Sequence, residues 1–128
     1  MKRVYFKPSY QAVSVIDALT NAEIAKLKTV SEAVIYAIKN DYQIPAQAFN
    51  GEFIKTENGD FVYETEKGFE LADGTLLLDV KRCHNCGYIA VSKEIIDEEQ
   101  EPRECYVCIK CGWIEECTPE IPEIGEGD

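Results

Sequence analysis

The sequence predicts an α+β protein: one helix packed on an antiparallel β-meander, followed by a three-stranded C-terminal module. Three observations lead there. A helical apolar stripe with an N-terminal capping pattern occupies the first third of the chain. Two Asx-Gly turn signals, Asn58-Gly59 and Asp73-Gly74, punctuate short apolar runs in the middle. Two Cys-x-x-Cys-Gly runs, Cys83 to Gly87 and Cys108 to Gly112, organise the end.

In chain order, Arg3 to Phe6 reads as a short strand, and Gln11 to Asp17 as either a second strand or a first helix, with Pro8-Ser9 as a break between them. Thr20-Asn21-Ala22-Glu23 has the form of a capping box. Behind it Ile24, Leu27, Val34 and Ile38 recur at helical spacing, so a helix is expected over 21–39, with an interruption near Thr29–Ser31. Asn40-Asp41 and Pro45 end it. A two-residue type I′ turn at Asn58-Gly59 places Ile54 near Tyr63 and Thr56 opposite Phe61. The second turn places Phe69, Leu71, Leu76 and Leu78 on one face, and Glu66-Lys67-Gly68 joins the two hairpins. The helix would cover the apolar face of this meander. The expected division is an α+β domain at 1–80, a metal module at 81–118, and an acidic, disordered tail at 119–128 that is too polar to bury much. Only Lys81-Arg82 separates the last meander strand from Cys83, which implies a fairly fixed attachment.

The chain has 128 residues and a net charge of −11. Residues 81–128 carry 5 basic and 12 acidic side chains, and such a surface repels phosphate backbones, so direct nucleic-acid binding is disfavoured. No apolar run reaches the length of a membrane span. The N-terminus lacks the apolar core of a secretory signal, and all six cysteines fall after residue 82. Clustering in C-x-x-C pairs without a signal points to metal in a reducing, cytoplasmic setting rather than to a disulfide framework.

Four sulfurs on two tight turns suit a tetrahedral ion, with backbone N–H groups stabilising the thiolates and glycine supplying the left-handed turn after each second cysteine. Cys86-Gly87-Tyr88-Ile89 is echoed by Cys111-Gly112-Trp113-Ile114, a pseudo-symmetric pair. With strands at Tyr88 to Lys93, Glu104 to Val107 and Trp113 to Cys117, residues 81–118 resemble the zinc ribbon family, the rubredoxin-like zinc-binding architecture. The resemblance implies Cys83, Cys86, Cys108 and Cys111 as ligands of a structural Zn²⁺, with iron as the minor alternative. A second set, Cys83, Cys86, Cys105 and Cys108, ranks behind it because Cys108 is then not followed by glycine. Cys105 and Cys117 are then spare and read as small apolar core residues. If the second knuckle closes a simple hairpin, Cys105 faces Ile114–Glu115, and a 105–117 disulfide is awkward. His84, the only histidine, is committed to the first turn and reads as solvent-exposed rather than as a ligand.

No glycine-rich phosphate loop and no nucleophile with a histidine partner is present, so no catalytic residue is assigned. The expected function is a non-enzymatic protein-interaction or regulatory module meeting a partner with a basic surface, a description that fits a viral or phage accessory or antagonist protein. Asp97, Glu98, Glu99 and Glu101 are the candidate partner-binding residues. Asp97 and Glu98 also resemble the Asp-Glu pair in the zinc ribbons of transcript-cleavage factors, which implies a second reading, a ribbon acting with RNA polymerase. A structural component of a larger assembly is the third.

Overall fold

The computed structural model describes residues 1–96 and 102–117, and the chain falls into two units. The first comprises Met1–Gln47 and Gly51–Leu77; the second comprises Ala48–Asn50 and the chain from Leu78 onward. Antiparallel strands dominate, with one short helix and three sheets. No helix among the described residues is long and apolar enough to cross a membrane.

The first unit begins with a three-stranded sheet in the order β1-β2-β3: β1 Val4–Ser9, β2 Ala12–Asp17 and β3 Glu23–Leu27. The second-strand alternative for 11–17 is the one realised. Pro8 does not break the pairing; it lies within β1 opposite Val13. β1 is an edge strand of this sheet, and the Val4 N–H already points outward, to Gln43 O at 3.0 Å. Pro8 lies on the same parity as Val4, so its missing N–H falls on that outer side. The chain turns instead at Tyr10-Gln11, where Gln11 has φ 61°.

The helix expected over 21–39 is realised only in its second half. Residues 23–27 form β3, and α1 spans Val30–Lys39. The Asp17 carboxylate accepts the N–H groups of Leu19 and Thr20 and pairs with Lys2 Nζ at 2.7 Å, while Asn21 takes φ 63°. That turn sends the chain back along β2. Thr20 Oγ1 only accepts the Ala22 N–H within it. The same Thr-x-x-Glu pattern recurs at Thr29-Val30-Ser31-Glu32, and there it caps: Thr29 Oγ1 accepts the Glu32 N–H at 3.1 Å, and Glu32 Oε1 accepts the Lys28 N–H at 3.2 Å. The helix ends at Asn40, as the sequence implies, with Asn40 Nδ2 donating to Tyr36 O.

α1 packs on this sheet and not on the meander. Ala33 and Ala37, both fully buried, meet Val4, Phe6, Val13 and Val15, and small residues at those positions allow a close approach. Of the predicted stripe, Val34 lies against the core while Ile38 is exposed.

The meander exists in order but is barely regular. Its central hairpin pairs β4 Tyr63–Thr65 with β5 Gly68–Glu70, and the flanking runs contribute single bridges, Lys55 with Phe61 and Glu70 with Leu76. Both bridges are one residue off the predicted register. Each turn holds three loop residues rather than two: Gly59 N–H bonds Thr56 O and Gly74 N–H bonds Leu71 O, with the glycines at φ 90° and 92°. The slip changes which side chains share a face. Phe61 consequently lies beside Lys55, whose Nζ is 4.7 Å from the ring centroid. Leu76 and Leu78 are exposed, so no continuous apolar face forms. The meander is held to β1 by polar contacts. Tyr63 OH donates to Val4 O at 2.8 Å, and the Arg3 guanidinium donates to Glu70 Oε1, Leu71 O and Gln43 Oε1.

The second unit is a four-stranded antiparallel sheet in chain order: β6 Val80–Arg82, β7 Ile89–Ile96, β8 Pro102–Cys108 and β9 Ile114–Glu115. Three strands were expected. The fourth, β6, comes from Val80, read as the end of the meander, and from Lys81-Arg82, read as the connector to Cys83. Asp79, at φ 55°, turns the chain before it, and Val80 pairs with Val91. The acidic tail at 119–128 and the candidate partner residues Asp97, Glu98, Glu99 and Glu101 lie outside the described residues.

Candidate metal centre

Strand register brings the two knuckles together. β6 ends at Arg82 and delivers Cys83; the chain turns and re-enters the sheet as β7 at Ile89. β8 ends on Cys108 and re-enters as β9 at Ile114. The β7–β8 pairing sets Ala90 opposite Cys108, so both turns emerge side by side.

The knuckles are alike bond for bond. Cys83 N–H donates to Tyr88 O at 2.7 Å, and Cys108 N–H to Trp113 O at 2.9 Å. Gly87 N–H donates to Cys83 O at 2.9 Å, and Gly112 N–H to Cys108 O at 3.1 Å. The Cys83 sulfur accepts the Asn85 N–H and the Cys108 sulfur the Lys110 N–H, each at 3.3 Å. Gly87 and Gly112 have φ 81° and 80°, a backbone that a residue with a Cβ adopts only at a cost.

The four sulfurs of Cys83, Cys86, Cys108 and Cys111 lie within 4.8 Å of one another, and none is disulfide-bonded. A tetrahedral ion with metal–sulfur bonds of about 2.3 Å requires sulfur–sulfur edges of about 3.8 Å. Cys83 to Cys111 is 3.8 Å and Cys86 to Cys108 is 3.5 Å. The cluster can therefore hold a metal ion, and it is the set that leads on sequence grounds. Cys83 and Cys108 are buried, Cys86 is half-buried and Cys111 is exposed. Asn85 Nδ2 lies 3.6 Å from the Cys111 sulfur. In the metal-free chain that amide, helped by the Trp113 backbone N–H, holds the Cys111 thiol down at about 6. Burial pushes the Cys86 thiol up to about 12. Metal loading must therefore displace protons from the less acidic sulfurs.

His84 is not a ligand. Its Nδ1 lies 2.6 Å from Glu115 Oε1, its ring is exposed, and Lys81 pairs with both Glu115 and Glu116 beside it. Cys105 and Cys117 are not spare core residues; they form a disulfide, which removes Cys105 from the alternative ligand set. The hairpin register puts Tyr106 and Val107, not Cys105, opposite Glu115 and Ile114. β9 stops there, and Glu116, at φ 54°, turns Cys117 toward Cys105 across a Cα–Cα distance of 4.0 Å.

One participant has no signal in the local sequence. Ala48–Asn50 belongs to this unit although it lies more than thirty residues before Cys83. The Phe49 N–H donates to Cys86 O at 3.0 Å, and a Cβ on Gly87 would come within 2.7 Å of both Phe49 Cγ and Phe49 N.

No protein-family model matches the chain, and no curated protein or solved structure shows detectable similarity to it.

Proposed function

We propose that this chain is a non-enzymatic, acidic protein-interaction or regulatory module whose C-terminal unit is a zinc ribbon built around one structural Zn²⁺. The supporting observation is the closed set of sulfurs at Cys83, Cys86, Cys108 and Cys111, with edges that suit a tetrahedral ion. Four thiolates fill such an ion and leave no position for water or substrate, so its contribution is folding free energy, on the order of 10 kcal/mol for comparable zinc sites. The protein's own groups prepare the site: backbone N–H groups of Asn85 and Lys110 and the Asn85 amide offset sulfur charge.

Four thiolates on one dication add about −2 to an acidic region, which favours a partner with a basic face. The run Asp97 to Glu101 is the proposed contact, and affinity purification from the native host is the route to the partner. Elemental analysis should find one zinc and no iron per chain, and the protein should stay colourless after air oxidation, where ferric thiolate would be red. Replacing Asp97, Glu98, Glu99 and Glu101 by lysine should weaken association and flatten its salt dependence. Material that carries no metal and keeps its fold in a strong chelator would overturn the proposal.

A further inference from the structure

The two knuckles share one backbone, yet only the first carries a docked segment. Phe49 approaches the first knuckle with its N–H on Cys86 O and its ring over the Cα of Gly87. At the second, the equivalent acceptor is Cys111 O and the equivalent seat is Gly112. Among the described residues no backbone N–H is bonded to Cys111 O, and nothing lies within 4 Å of where a Cβ on Gly112 would stand. Trp113 and Ile114 flank that seat and are about half exposed.

We propose that the second knuckle is a docking site for an extended segment of a partner protein that carries an aromatic residue flanked by basic ones, seated on Gly112 as Phe49 is seated on Gly87. The proposal rests on the interaction-module reading and names its surface. The chain supplies the template for the occupant: a small residue, a phenylalanine and an asparagine, with the backbone donating to the carbonyl of the knuckle's second cysteine. The basic flanks follow from charge. The seat adjoins the thiolates and lies in a region of 12 acidic and 5 basic side chains. The chain's own residues 118–128 are a poor match, having neither an aromatic nor a basic residue and four acidic ones.

The probe is a capped synthetic peptide in which Ala-Phe-Asn is flanked by two lysines on each side. Trp113 is the only tryptophan and adjoins the seat, so its fluorescence reports occupancy in the full-length, zinc-loaded protein. A saturable shift in Trp113 emission in the millimolar range is expected, the affinity of one hydrogen bond and one half-buried ring. Replacing the peptide's phenylalanine by alanine, or methylating its backbone nitrogen, should each weaken binding about tenfold or more. Gly112→Ala, compared with the wild type in excess zinc so that both are fully loaded, should do likewise, and the N-methyl peptide tests the same contact on unaltered protein. Binding indifferent to both peptide changes, or no shift at several millimolar, would overturn the site. So would proton–proton contacts from residues 118–128 to Gly112 in the free chain, or a dimer abolished by Gly112→Ala, which give the seat to the tail or to a second copy. If the native partner still co-purifies after such a result, the module reading survives and only this surface fails.

Discussion

Gly87 and Gly112 occupy equivalent places in the two knuckles, and exchanging each for alanine should have unequal consequences. Both have φ near +80°, so either alanine incurs the left-handed penalty of about 1–2 kcal/mol. At Gly112 nothing is added, because the new methyl meets open space. At Gly87 the methyl meets Phe49. The ring can swing away, since its outer side faces solvent, but the Phe49 backbone nitrogen at 2.7 Å cannot move without breaking its bond to Cys86 O. That loss is worth about 1 kcal/mol, and the accompanying overpacking at least about 1 more. Gly87→Ala should therefore cost about 3–4 kcal/mol against about 1–2 for Gly112→Ala. The difference of about 2 kcal/mol corresponds to roughly 30-fold in the apparent metal dissociation constant when folding and loading are coupled. Chelator competition with a zinc-sensitive dye on both variants measures it. Equal losses, or a larger one at Gly112, would show that Phe49 does not seat on the first knuckle.

Other expectations are separable by unit. With metal removed under non-reducing denaturation, alkylation followed by mass spectrometry should label four cysteines, and all six after reduction, if Cys105 and Cys117 are paired. Cys117→Ser should destabilise the second unit by about 3 kcal/mol, the constraint expected for so short a loop, in chemical denaturation of zinc-loaded protein. Thr29→Ala should cost about 1 kcal/mol by loss of the true helix cap, and Thr20→Ala distinctly less, as read by thermal unfolding of the two variants. The Arg3 guanidinium and the Thr65 hydroxyl hold the Glu70 carboxyl below its ordinary value, so its contribution is complete above the unfolded carboxylate pKa and is lost as pH falls through the lower folded one. Glu70→Gln should flatten the acid limb of the stability curve; an unchanged acid limb would refute the pairing.

What the sequence displays and what it hides divide along contact distance. The ligand set is legible because each pair of sulfurs sits on one five-residue turn, and the repeated Gly-aromatic-Ile sequel marks which pairs belong together. The end of the helix is legible for the same local reason, as Asn40 closes the last turn with its own side chain. The start is not, because two Thr-x-x-Glu patterns compete and the choice lies elsewhere: in the Asp17 carboxylate, which gathers the Leu19 and Thr20 N–H groups and turns the chain at Asn21. The meander register fails for a subtler cause. Asn-Gly and Asp-Gly fit two-residue turns, but a type I turn followed by a left-handed glycine accepts the same letters and shifts every pair by one. The disulfide depends on a single left-handed residue, Glu116, that no composition rule would mark.

Little of the second unit is apolar core. Among the described residues of this unit, the fully or nearly buried side chains include Cys83, Cys105 and Cys108 beside Ile89, Ala90 and Tyr88. Three of these side chains are cysteines, two in the candidate centre and one in the disulfide. A unit with so small an apolar interior gains little from burial alone, and small domains of this kind ordinarily add a metal or disulfides. The unit offers both kinds of link, a disulfide and four sulfurs that could hold a metal, and they sit at different places: the knuckle ends of β7 and β8, and the β8–β9 edge. The surface is thereby released from stabilising duty, so Trp113, Ile114 and Phe49 can stand in solvent.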